Sequence, residues 1–421
     1  MPSPAAVRAP RAPLPPLARR LLLATAVSAL GNGLVLPFLV VYLHQVRGMP
    51  TSVAGLVVAF QAVLGFVVAP AAGALIDRIG PRPVMIVSPL IMALGSLAYS
   101  MVRTPVQALG AAFLLALGGA ALWPAGATMV SRLVGDEQRS RAFGIQFMLL
   151  NLGIGIGGLI AGLVVDVSRP RTFELLYVGD AVTFVAYALI MSTFVGVGGA
   201  LPQDPSGEDP TGGYVDVLRD RAMVRLSIVS LLLLSSGYGA LEVGFPVFAT
   251  QVVGVSPRLV AFGYVGNTVA IVLGQLYALR LVEGRSRSRV IAVVGIIWAG
   301  SWLLLGLAAP VDSHAVVVSL VLLSPVVFAL GETLWQPVAP SIVNELAPEH
   351  LRGRYNAFGS LTWNVAGVVG PASAALLLGA DHPIWWLAVV IGGSLAGSVA
   401  TIGLRRQLTT VQDGRVPTPV G

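Results

Sequence analysis

Cysteine is absent from this 421-residue chain, which excludes disulfides, thiolate metal sites and cysteine nucleophiles and leaves the redox compartment undetermined. Lysine is absent as well, so all 26 basic residues are arginine. Charge is scarce: 11% of residues, against about 25% in an ordinary soluble domain. The four histidines, His44, His314, His350 and His382, are scattered without metal-ligand spacing. What is abundant is apolar, with 56% hydrophobic residues and a mean hydropathy of +0.84. A soluble body of this length cannot hide so much apolar surface, because interiors grow slowly with chain length. Composition therefore excludes a soluble enzyme and implies an all-α integral membrane protein embedded in a lipid bilayer.

Crossing the hydrocarbon takes about 20 apolar residues, and twelve runs of that order follow one another. They cover 21–43, 53–76, 84–101, 106–130, 142–167, 173–195, 226–249, 259–279, 290–309, 315–343, 358–378 and 384–404. The first run is too long for the core of a signal peptide, so it is expected to stay as a span. Residues 1–20, rich in proline and arginine, read as a disordered cytoplasmic tail, and 405–421 as a second one. Residues 196–222, around LPQDPSGEDPTGG, read as a cytoplasmic linker between six-helix bundles at 21–195 and 223–404. A short interfacial helix is expected near 214–223.

Twelve spans place both termini on one side. With the termini in the cytoplasm, only Arg47, Arg103, Arg169, Arg171 and Arg258 of the 26 arginines fall outside. This is the asymmetry of the positive-inside rule. The net charge of +7 is thereby accounted for without nucleic acid as a partner.

Sliding the sequence on itself by 213 residues superposes the fourth and fifth runs on the tenth and eleventh without a gap. Ala116-Leu117-Gly118 meets Ala329-Leu330-Gly331, Pro124 meets Pro337, Arg139 and Arg141 meet Arg352 and Arg354, Asn151 meets Asn364, and Gly157 meets Gly370. An offset of six spans predicts two parallel, pseudo-symmetric six-helix bundles, a transporter architecture with its site where the bundles meet.

Between the second and third runs stands Gly73-Ala-Leu-Ile-Asp-Arg-Ile-Gly-Pro-Arg82. It resembles the loop signature of the major facilitator superfamily, Gly-x-Leu-x-Asp-Arg-x-Gly-Arg-Arg/Lys, at Gly73, Leu75, Asp77, Arg78, Gly80 and Arg82, with Pro81 as the departure. The resemblance implies a gating latch in which this loop contacts the other half. Asp77 suits a helix N-terminus carrying positive partial charge, and Asp136 or Glu137 is expected to pair with Arg82 across the cytoplasmic face. The alternative is a loop that only sets topology. The matching loop, Glu283 to Arg289, lacks an aspartate and is expected to latch more weakly.

The fifth run spaces Gly144, Gly153, Gly157, Gly158 and Gly162 in a way similar to the antiporter motif of that superfamily's drug exporters, with Gly158 in place of a proline and Ala161 in place of a glycine. The eleventh run keeps Gly370-Pro371. By resemblance these small residues lie at the interface between halves, where close approach permits sliding; plain helix packing is the alternative. Gly153-x-Gly155-x-x-Gly158 also fits a dinucleotide fingerprint, which is rejected because no strand precedes it and no soluble βαβ unit holds it.

Three acids fall well inside runs, Asp180, Glu242 and Glu332, and ionisable groups within spans are functional candidates by default. Low dielectric disfavours the charged form of a carboxyl, which suits groups that take up and release protons. In the superfamily, helices one, four, seven and ten line the cavity, so the resemblance assigns Glu332 and Glu242 to it. Asp180, on a peripheral helix, is either a third proton-coupling group or a structural acid bonded to Asn151 or Gln146. Cavity polarity is expected from Asn32, Gln336 and Asn364, and aromatic wall from Trp123, Tyr238, Phe245 and Trp335.

By resemblance the chain is expected to be a monomeric, multi-pass cell-membrane transporter without a cofactor. Its expected activity is exchange of protons for small hydrophobic or cationic compounds leaving the cell, with drug resistance as the outcome. An importer or metabolite exporter of the same fold is the alternative within transport, and a non-transporting sensor or scaffold the alternative outside it. The sequence offers an enzyme no nucleophile–base pair, metal cluster or phosphate loop.

Overall fold

The computed structural model describes residues 13–200, 212–380 and 382–415. Among them twelve helices are long and apolar enough to cross a membrane. They are span 1 (Pro16–Val46), span 2 (Thr51–Ile79), span 3 (Pro81–Ser100), span 4 (Pro105–Leu133), span 5 (Asp136–Val164) and span 6 (Pro170–Ser192). Span 7 (Arg221–Val252), span 8 (Pro257–Val282), span 9 (Arg287–Leu307), span 10 (His314–Leu346), span 11 (Glu349–Gly379) and span 12 (Pro383–Arg405) complete the set. Each contains most of one apolar run and extends beyond it at one or both ends. Six begin on a proline, a residue whose fixed φ suits the first helical position and whose missing N–H is no loss there.

Span 1 starts at Pro16, so the last five residues of the expected tail are helical. A short helix at Tyr214–Arg219 precedes span 7, close to the expected interfacial one, and the side chain of Asp220 caps span 7 by accepting from the Ala222 and Met223 amides. Residues 1–12, 201–211 and 416–421 of the expected tails and linker lie outside the described residues. The far end of the second tail is docked: Asp413 is fully buried and accepts from the Ser288 amide at 2.8 Å and from Ser286 Oγ at 2.7 Å.

Helix pairing repeats with the sequence. Span 3 packs on spans 4 and 6, span 1 on spans 5 and 6, and span 2 on span 4; six spans later, span 9 packs on 10 and 12, span 7 on 11 and 12, and span 8 on 10. Glycines close the equivalent crossings. Gly157 lies against Leu30 and Gly33 of span 1, and its repeat partner Gly370 against Gly239 of span 7. Gly118 likewise meets Met92 of span 3, and Gly331 meets Trp298 of span 9. The seam between the bundles is formed by span 2 on span 11 and span 5 on spans 8 and 10, with span 4 also touching span 11.

Both described chain ends lie on one face, here the terminal face: Leu14 belongs to the same buried apolar cluster as Met129 and Val134 at the end of span 4, and Asp413 holds the start of span 9. The seam is tight near that face, where Gly73 abuts Ala357 and Gly144 abuts Leu279. Further along the same helices, Gly65, Gly162 and Gly367 have nothing within 4 Å of an added Cβ. The hydrogen bonds and ion pairs that cross the seam among the described residues, such as Asp77 to Gly353, Ser140 to Ser341 and Arg139 to Glu345, lie toward the terminal face, so the bundles are fastened there and part toward the opposite face.

Candidate functional site

Between the bundles lies a cavity of about 700 Å³. Spans 2, 4 and 5 supply one wall and spans 7, 10 and 11 the other. Span 1 contributes nothing, because its small-residue stripe is spent on spans 5 and 6. Asn32 is consequently no cavity residue. Phe245 is also outside; it is fully buried in the second bundle, its ring 5.5 Å edge-on from Tyr264.

Seven expected residues do line the cavity: Trp123, Tyr238, Glu242, Glu332, Trp335, Gln336 and Asn364. Glu332 is 4% exposed, and its Oε2 accepts from Asn267 Nδ2 of span 8 at 2.6 Å. The same amide donates to the Pro325 carbonyl at 3.0 Å, a bond that fixes its orientation. No arginine forms an ion pair with Glu332 among the described residues. Beside it, the Tyr238 hydroxyl accepts from Gln336 Nε2 at 3.1 Å. The Tyr238 ring sits 4.7 Å from Trp363 and 5.5 Å from Trp298, which stacks on Phe328. Glu242 is exposed, although the stretch of span 7 that carries it, where the helix widens over Ala240–Gly244, is otherwise mostly buried. The result is a carboxyl flanked by aromatic faces, a combination that can hold an apolar or cationic compound.

Asp180 lies elsewhere. It is 1% exposed inside the first bundle, where its Oδ2 accepts from Ser96 Oγ at 2.7 Å. Neither Asn151 nor Gln146 reaches it: both line the cavity, and Asn151 donates to the Phe147 carbonyl. Sequence reasoning missed Gln61, Asn356, Thr362 and Trp363 as cavity residues. A signal existed for the last two: eleventh-run residues so close to Asn364 share its surroundings.

The terminal face is closed by three sets of contacts across the seam. Asp77 accepts from the Gly353 amide at 2.5 Å, the Arg354 amide at 3.1 Å and the Arg354 guanidinium at 3.1 Å, as expected of a carboxylate at a helix N-terminus. Tyr214 of the linker helix donates to the Pro70 carbonyl beside Gly73, and burial pushes its phenol up to about 12, so it stays a donor throughout the physiological range. Second, Arg139 pairs with Glu345 at 3.0 Å, and Ser140 donates to Ser341 at 3.0 Å. Third, Asn356 donates to Thr128 at 3.2 Å while exchanging bonds with Asn344.

Other motif residues divide by role. Gly80 has φ +84° and abuts Gly199, leaving no room for a side chain; Leu75 and Arg78 are exposed. Arg82 does not pair with Asp136 or Glu137. It donates to the Ser192 carbonyl at 2.8 Å, while Asp136 holds Arg139 at 2.6 Å and Glu137 is exposed. Arg139 is nearer to Asp136 in the chain, and its ion pair leaves the Arg82 side chain to the last residue of span 6.

The antiporter-like glycines are also redistributed. Only Gly144 meets the other bundle, at Leu279 and Gln275. Gly153, Gly157 and Gly370 pack within their own bundles, Gly158 approaches only Gly33, Gly162 faces open space, and Pro371 is half-buried.

Residues 21–371 match the Major Facilitator Superfamily. The chain belongs to that superfamily. It is similar to an uncharacterized MFS-type transporter, YqjV of Bacillus subtilis, at 23% identity over 96% of this chain and 98% of the relative. It is also similar to the multidrug resistance protein MdtH of Aeromonas hydrophila, at 26% identity over 81% of this chain and 82% of that one. Among solved structures, the superfamily transporter FucP in its outward conformation aligns with TM-score 0.73 at 16% identity, over 93% of this chain and 99% of that chain. The fold is shared, and this superfamily member is a multi-pass membrane transport protein with its bundles parted on one face.

Proposed function

We propose that the chain exports small hydrophobic or cationic compounds from the cell in exchange for protons, working by alternating access as a monomer in the cell membrane with both termini cytoplasmic. The observation that carries this reading is Glu332: a buried carboxyl on the cavity wall, hydrogen-bonded to a neutral amide and bordered by aromatic rings. Similarity to a multidrug resistance protein and the arginine-rich terminal face add support.

A cation in the cavity is held by the negative charge of Glu332, and by Glu242 nearer the opening. A proton entering from the open face cancels the charge at Glu332, so cation and proton compete for one group and cannot both be held well. Closing the open face and parting the seam at Asp77 and Arg139 then exposes the carboxyl to the cytoplasm, where it releases the proton and binds the next cation.

The test is transport of a fluorescent lipophilic cation by purified protein in proteoliposomes with an imposed pH gradient. Glu332→Gln is expected to abolish gradient-driven transport, by about 100-fold or more, as for loss of a group-specific charged interaction of about 3 kcal/mol, while the protein still inserts and melts cooperatively. Asp180→Asn, outside the cavity, is expected to keep coupling. Normal coupled transport by Glu332→Gln overturns the assignment, and gradient-driven uptake into cells in place of depletion overturns the direction.

A further inference from the structure

A second cavity, of about 600 Å³, opens on the terminal face at the seam. Arg82, Ser131, Arg132 and Arg139 reach it from the first bundle, Arg352 reaches it from the second, and the loop 196–200 forms one side. Two carboxylates also border it. Asp136 is committed to Arg139, and Glu349 is exposed and forms no ion pair among the described residues.

The donors of this cavity are under-used. Arg82 and Arg132 each give one guanidinium nitrogen to a neutral carbonyl, of Ser192 and Gly199, both at 2.8 Å. Neither they nor Arg352 forms an ion pair among the described residues. The Nε atoms of Arg82, Arg132, Arg139 and Arg352 are shielded from solvent and have no acceptor there; the same holds for the Oγ of Ser131, which is 4% exposed. A buried donor without an acceptor costs about 1–3 kcal/mol, and native structures hold few of them. Five gathered around one cavity indicate a shared acceptor. A carboxylate is satisfied by a single guanidinium fork, whereas donors converging from several helices suit a tetrahedral oxyanion.

We propose that this cavity is an anion site that takes a phosphate group, gripped by Arg82 and Arg132 of one bundle and Arg352 of the other. Free phosphate and the phosphodiester of an anionic lipid present the same chemistry, and the cavity lies where spans 4, 5 and 11 end on the terminal face. Because its cations come from both bundles, occupancy ties them together and favours the arrangement closed on the terminal face.

The experiment measures thermal melting of the full-length protein in two settings. In neutral detergent, inorganic phosphate is titrated at constant ionic strength against chloride. In nanodiscs, phosphatidylcholine is compared with a mixture containing phosphatidylglycerol. A saturable rise in Tm with phosphate identifies a free anion as the source, a rise only with phosphatidylglycerol identifies the lipid, and either supports the site. Arg132→Gln and Arg352→Gln are expected to weaken the response about tenfold each, the effect of one charge-assisted hydrogen bond, Arg132→Lys to restore part of it, and Arg258→Gln, far from the cavity, to leave it unchanged. A variant that fails to melt cooperatively is replaced by Arg82→Gln, which is expected to weaken the response in the same way. No rise in either setting, or an equal rise in wild type and the glutamine variants, overturns the proposal.

Discussion

Asp77 accepts three hydrogen bonds across the seam, two from the backbone at the start of span 11 and one from Arg354. Bonds to a charged acceptor are worth about 1.5–3 kcal/mol each, so Asp77→Asn is expected to move the equilibrium at least tenfold toward forms open on the terminal face. Spin labels on cysteines at Arg78 and His350, introduced into this cysteine-free chain, read that shift as longer distances; an unchanged distribution contradicts it. Asp77 was legible because its motif is local, and its partner is an N-terminus that any helix supplies. Partners set by three-dimensional arrangement were not legible. Ser96, and not Asn151, meets Asp180, because periodicity shows that a residue is inside a bundle without showing which neighbouring helix it faces. Glu345 escaped notice for the same reason: at the end of a run it reads as a solvated charge.

At the scale of the helix, the twelve spans were legible because lipid demands long apolar segments. The helices run past the apolar runs because prolines, arginines and caps complete their terminal turns. The glycine spacing of span 5 was read as a sliding surface between bundles, yet Gly153 and Gly157 hold span 1. Small residues mark close approach, and their spacing does not say to what. Overpacking a tight contact costs about 1–3 kcal/mol, so Gly157→Leu and Gly370→Leu are each expected to lower the thermal midpoint by several degrees, and Gly162→Leu, facing open space, to leave it unchanged. Melting followed by tryptophan fluorescence checks this; equal losses at all three positions contradict it.

The whole molecule was legible through its repeat. The 213-residue offset in sequence reappears as matched helix pairings and as the matched glycine crossings Gly33·Gly157 and Gly239·Gly370. Which helices wall the cavity was not, since span 1 turns its small residues inward and span 2 takes its place through Gln61. With the bundles parted on one face, a single cysteine at Gly119, on the cavity wall with room for a side chain, is expected to react with a membrane-impermeant maleimide added opposite the termini. One at Gly135, exposed on the terminal face, is expected to react only from the other side. Reaction of both from the same side contradicts the arrangement.

Glu345 is shared between Arg139 of the facing bundle and Arg287 of its own, and Arg139 in turn keeps Asp136. Removing the only partner of a buried charge is expensive, but here each ion has a spare at home. When the bundles separate, neither is widowed: the carboxylate falls back on Arg287 and the guanidinium on Asp136. The joint can therefore be broken and remade many times at small cost, as the alternating access proposed above requires.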